Sequence, residues 1–138
     1  MRYVRNRAAA AAIVGAVVLA GAVGIAIEAA KERSDIRVHA AAITSGDPSR
    51  GEAMFIQYGC GSCHGLKHVR KANGAVGPPL DGIAARAIIA GKLDNNPTSL
   101  QAWIRDPQHI SPGTAMPDLN VSQGDARDIT AFLHTRAE

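Results

Sequence analysis

The sequence predicts an all-α domain over residues 47–138, preceded by a single N-terminal transmembrane helix. Ala8–Ile27 is an unbroken run of apolar or small residues without a charge. The rest of the chain breaks into short segments with helix start and stop signals, separated by loops rich in Gly and Pro. No stretch of any length carries the period-two alternation of a half-buried strand.

At 1.5 Å per residue the apolar run makes roughly 30 Å of helix, about one hydrocarbon core. Arg2, Arg5 and Arg7 precede it and Glu28 closes it, which keeps the N-terminus in the cytoplasm and exports the chain beyond Ile27. The competing reading is a cleaved secretory signal, with Val38-His39-Ala40 or Ala40-Ala41-Ala42 as the small-residue site. Against it, the run is longer than a signal core of roughly 7–15 residues, and both sites lie well past its end. Residues 1–27 are therefore expected as basic start and anchor, and 28–46 as a linker. Either reading exports the domain.

The formal charge of +3 belongs to the first 46 residues, since residues 47–138 carry nine charges of each sign. With a neutral domain and no basic residues interleaved with aromatics, a nucleic-acid surface is excluded.

Within the domain, Asp47-Pro48-Ser49 opens a helix that carries Met54, Phe55 and Tyr58 and stops at Gly59. Gly74–Pro79 cannot be regular structure. Ile83–Ile89 and Ser99–Ile104 are short helical candidates, the second capped by Thr98 or Ser99 and ended by Asp106-Pro107. A loop through Pro112, Gly113 and Pro117 leads to Ser122, which starts a last helix, Gln123–Thr135, with Ala126, Ile129 and Leu133 on one stripe. Aromatics make up only 4% of the chain, thin for a self-sufficient core, so something other than side chains is expected to fill the middle.

Cys60-Gly61-Ser62-Cys63-His64 says what. Two cysteines three residues apart, followed at once by His, form the attachment motif of haem c. Each thiol adds to one vinyl group, and the adjacent imidazole is held under the ring to bind iron. A thioredoxin-like redox pair would want a βαβ context, and a zinc half-site would want further ligands at short spacing; these are the only cysteines in the chain.

Five side chains compete for the other face of the iron: Met54, His68, His109, Met116 and His134. Met54 reads as core on the helix entering the motif, and His68 follows His64 too closely to cross the ring. His134 is expected at the solvent edge of the last helix. His109 is the serious rival. Met116 is favoured, because Pro112 and Pro117 stiffen its loop and so help to hold a weak thioether bond.

These residues carry a resemblance. Residues 47–138 resemble class I cytochrome c, especially the bacterial single-haem domains associated with respiratory oxidases and dehydrogenases; the first 46 residues lie outside the resemblance. It implies the small class I cytochrome c fold wrapped around one haem. Gly51 and Phe55 match first-helix positions that pack on the final helix, here on Ile129 and Phe132. Gly77-Pro78-Pro79-Leu80 resembles the segment in which a Pro carbonyl accepts the axial His Nδ1–H and a Leu packs on the ring, roles that fall to Pro78 and Leu80. Thr114-Ala115-Met116-Pro117 resembles the methionine-ligand loop, making His64 and Met116 the implied iron ligands. Trp103-Ile104-Arg105-Asp106-Pro107 also matches; Trp103 or Arg105 is a candidate donor to a haem propionate, as is Arg86, against the plainer reading of Trp103 as core and Arg105 as a surface charge.

Iron held by His and Met has no open position for substrate, which implies outer-sphere electron transfer rather than catalysis. Two function classes fit such a site: a single-electron carrier between a quinol-oxidising complex and a terminal oxidase, or an electron-transfer subunit built into an oxidase or dehydrogenase complex. A peroxidase or gas sensor that sheds Met116 ranks third. The expected location is the inner membrane, single-pass, with the haem domain on the periplasmic side.

Overall fold

Helix α1, Arg2–Thr44, opens the chain in this computed structural model, which describes the backbone of residues 2–136 and side chains from residue 12. Two units are distinguished, parted between Asp35 and Ile36.

Among the described residues of the first unit the large apolar side chains are bare: Ile13, Val17, Leu19 and Ile25 are all more than 60% exposed. Within Ala12–Thr44, 18 consecutive residues have a mean hydropathy of 2.2 with none of them buried, long and apolar enough to cross a membrane.

The second unit begins earlier than the expected boundary at residue 47. Residues 28–46, read from sequence as a linker, are helical as far as Thr44, and from Ile36 onward they belong with the domain. The Ala40-Ala41-Ala42 run is a strong helix former. Ala40 and Thr44, one turn apart, are 1% and 3% exposed. The Thr44 carbonyl accepts from Gln101 Nε2 at 3.2 Å, and Arg37 donates to Ser49 Oγ.

Helix α2, Pro48–Gln57, starts where expected, with the Asp47 carboxylate accepting from the Ser49 and Arg50 backbone N–H groups. It packs on the closing helix α5, Gln123–His134, capped by Ser122. A Cβ at Gly51 would lie 1.9 Å from the Asp128 carbonyl oxygen, so only glycine allows this approach. Next to the crossing, Phe55 and Phe132 tilt against each other with ring centroids 5.8 Å apart. A polar seam runs beside them: Arg50 pairs with both Asp125 and Asp128, Asp128 accepts from the Asp47 N–H at 2.8 Å, and Asp125 accepts from Tyr58 and Ser122 hydroxyls at 2.9 and 2.7 Å.

Between these helices the chain departs from expectation in three places. Ile83–Ile89 is not one helix: a 3₁₀ turn, Ile83–Ala85, is followed by a hairpin of β1, Ile88–Ile89, and β2, Leu93–Asp94. Ala90 and Gly91 turn it with φ of 51° and 67°, the paired left-handed conformation that suits a two-stranded twist and disfavours a helix. Helix α3, Pro97–Arg105, is capped by Asn96, whose side chain accepts from the Ser99 N–H, rather than by Thr98 or Ser99. A further turn of helix, α4, Pro107–Ile110, comes directly after it with Asp106 as its cap. α3 packs against α5 to complete the core, where Leu100, Ile104, Ile129 and Leu133 are each under 9% exposed.

Candidate cofactor site

A cavity of about 440 Å³ opens into the second unit, within the range that encloses a cofactor-sized ligand. Its inner wall is apolar: Phe55, Leu100, Trp103, Ile104, Ile129 and Leu133, from α2, α3 and α5. The rim comes from three loops that no regular element could replace, carrying Cys60–His64, Val76–Leu80 and Thr114–Pro117.

The cysteines reach the cavity because the chain tightens after α2 into a 3₁₀ turn, Cys60–Ser62, with the Cys63 and His64 N–H groups both donating to the Cys60 carbonyl. Cys60, Cys63 and His64 all line the space. Burial pushes the Cys60 thiol up to about 11.

His64 is oriented by one bond. Its Nδ1 lies 2.7 Å from the Pro78 carbonyl oxygen. A carbonyl only accepts, so Nδ1 carries the hydrogen and the Nε2 lone pair is left for a metal. The loop that supplies this carbonyl must run against the ring: a Cβ at Gly77 would sit 2.4 Å from His64 Cε1. Arg86 donates to the Pro79 and Asp81 carbonyls and so holds the loop in place.

Of the five candidates for the second metal ligand, Met116 alone lines the cavity. Met54 packs against the core, while His68 and His109 are exposed. His134 is not at the solvent edge: it is half-buried, its Nε2 is buried without a hydrogen-bond partner, and burial, then His39, lowers its pKa. Pro78, Leu80, Trp103 and Arg86 join the lining. Arg105 does not. Two residues on from Trp103 it is turned some 200° around α3, and it points to solvent.

Paired thiols, an imidazole with Nε2 free and an apolar slot fit a flat, vinyl-bearing macrocycle with iron at its centre. The sequence pattern of the Cytochrome c family matches residues 48–137. The chain belongs to the cytochrome c family. Family membership implies haem c, and Cys60-Gly61-Ser62-Cys63-His64 is consistent with its attachment motif. The cytochrome c domain is 35% identical over 88 residues to cytochrome c oxidase subunit 2 of Alkalihalophilus pseudofirmus, covering 63% of this chain and 25% of that protein. It is 32% identical over 83 residues to cytochrome c oxidase subunit 2 of Bacillus subtilis, and 34% over 76 to that of Bacillus sp. strain PS3, covering 56% and 54% of this chain. The chain spans only a quarter or less of these relatives' length. No solved structure matches it.

Proposed function

We propose that this cytochrome c domain is a single-electron carrier whose iron is held by His64 and Met116, and whose haem is attached through Cys60 and Cys63. The observation that carries it is the His64 Nδ1–Pro78 carbonyl bond, which leaves Nε2 available to a metal in the cavity that Cys60, Cys63 and Met116 also line. When bound, the haem supplies a ferric/ferrous couple, and a thioether ligand favours the ferrous state. The chain does the rest. Pro78 orients the imidazole, Leu80 and the α3 and α5 side chains exclude water, and Trp103 and Arg86 flank the slot as candidate propionate donors. Ligands held by stiff loops change little with oxidation state, which keeps reorganisation on electron transfer small.

The apolar stretch of α1 would anchor the protein in the inner membrane. The basic residues Arg2, Arg5 and Arg7 would keep its start in the cytoplasm and the haem domain in the periplasm. From there electrons would pass from a quinol-oxidising complex towards a terminal oxidase. A second reading has a specific support: the relatives are oxidase subunits, so the domain would be a built-in electron entry of an oxidase complex rather than a free carrier. Purification in mild detergent separates the two, yielding either a lone cytochrome or a stoichiometric complex.

The test of the ligand pair is optical. The pyridine haemochrome of the purified protein should have the spectrum of thioether-bound haem. Met116→Ala should abolish the weak red-region band of sulfur-ligated ferric haem; survival of that band removes Met116 from the iron.

A further inference from the structure

The loop that carries Met116 has little backbone pairing of its own, with Thr114 N–H to the Ser111 carbonyl its one such bond. Instead it is tied to one side chain. Gln108 Nε2 donates to the Thr114 carbonyl at 2.8 Å and to the Met116 carbonyl at 2.7 Å, and its Oε1 accepts from the Gly113 N–H at 3.2 Å. Both amide hydrogens and the amide oxygen are used, on three residues of the Gly113–Met116 segment. The opposite placement of nitrogen and oxygen would set the oxygen against two carbonyls and the NH₂ against an N–H, so the network itself assigns the orientation.

Gln108 is well mounted for this task. Pro107, beside it, is among the most deeply buried residues of the domain, and the Asp106 carboxylate caps the short helix they share by accepting from the His109 N–H at 3.0 Å. The amide therefore projects from a fixed base onto a loop that lacks its own scaffold.

We propose that Gln108 is a positioning residue for the axial methionine: its amide holds the Gly113–Met116 backbone against the cavity and so sets how readily another ligand replaces Met116 on iron. This rests on the His64/Met116 ligation proposed above. In the exchange the iron–sulfur bond breaks and an iron–nitrogen bond to imidazole forms. Both ligands are neutral lone-pair donors, so no electron or proton moves. Whatever holds the methionine loop closed opposes the exchange.

The test is imidazole binding to the haem-loaded, ferric full-length protein in detergent, monitored by loss of the sulfur band. In Gln108→Leu, which removes all three bonds, imidazole should bind at least about fivefold more tightly than to the parent, the factor expected if the loop loses one bond of ordinary strength or more. Gln108→Glu keeps the shape but sets a carboxylate against two carbonyls, and should equal or exceed it. Gln108→Asn keeps the amide one methylene short; it should also bind imidazole more tightly, and it decides the matter if Gln108→Leu fails to retain haem. Asp125→Asn, which loosens the α2–α5 seam without touching the Gly113–Met116 loop, serves as the control and should bind like the parent. Affinity within twofold of the parent in the Gln108 variants overturns the proposal, as does an equal gain in Asp125→Asn. A sulfur band absent from the parent, or one surviving in Met116→Ala, would instead strike the ligand assignment beneath it and take the proposal with it.

Discussion

The His64 ring is oriented by a single acceptor, the Pro78 carbonyl at 2.7 Å, and by the absence of a side chain at Gly77. The second condition is the more exposed to mutation. A methyl group at Gly77 would meet the imidazole at 2.4 Å, backed by a loop that Arg86 holds in place, so neither side can yield cheaply. Gly77→Ala should destabilise the haem-loaded protein by about 1–3 kcal/mol, the usual cost of overpacking. Denaturant unfolding tracked at the haem absorption measures it, and an unchanged midpoint would mean that the ring has room to move. That Pro78 orients His64 was implied by the resemblance of Gly77–Leu80 to the corresponding cytochrome c segment. That Gln108 braces the opposite loop was not: a lone glutamine between Pro107 and His109 carries no pattern, and only folding brings it to Gly113, Thr114 and Met116.

Helices α2 and α5 cross where Gly51 lets the backbones touch, and the seam of Arg50, Asp125, Asp128 and Tyr58 locks the crossing from the side. The hydrogen bonds from Ser122 and then Tyr58 hold the Asp125 carboxyl below the usual carboxylate range, and the same contact raises the Tyr58 hydroxyl. A pKa lowered by folding means that the unfolded chain binds the proton more tightly. The stabilisation from Asp125 is therefore complete above the unfolded value of about 3.9 and is lost as pH falls through the lowered folded value. Asp125→Asn should cost about 1–2 kcal/mol at neutral pH and flatten the acid limb of a stability–pH curve; an acid limb as steep as the parent's would place the responsible carboxylate elsewhere. At this scale the sequence was a good guide to α2, α3 and α5 and a poor one at Ile83–Ile89. Ile83–Ile89 has apolar residues enough for a helix, yet the left-handed pair Ala90-Gly91 folds it into a hairpin.

For the molecule as a whole, the consequential difference lies in residues 36–46. A free tether would leave a domain starting at Asp47 as stable as a longer one. Here Ala40 and Thr44 are buried and Gln101 donates to the Thr44 carbonyl, so the end of α1 is part of the domain's structure. A chain begun at Ile36 should melt above one begun at Asp47, by about 1–2 kcal/mol, the worth of one buried methyl group and one hydrogen bond. Equal melting temperatures would restore the tether. If α1 is an anchor, carbonate-washed membranes should retain the haem protein, whereas recovery in the soluble periplasm would indicate cleavage.

What the sequence determined by itself was whatever depends on covalent neighbours. The Cys60-Gly61-Ser62-Cys63-His64 spacing, the Asp47 and Ser122 caps, the Gly77–Leu80 turn and the apolar run of Ala8–Ile27 all act within a few residues, so their physics is written locally. What only the tertiary structure decided was which surfaces meet. It turned Arg105 to solvent two residues from a cavity-lining Trp103, drew Met116 rather than His109 to the cavity, and took the end of α1 into the domain. Such outcomes arise from burial shared among segments far apart along the chain, and burial of that kind leaves no periodic trace in any one of them.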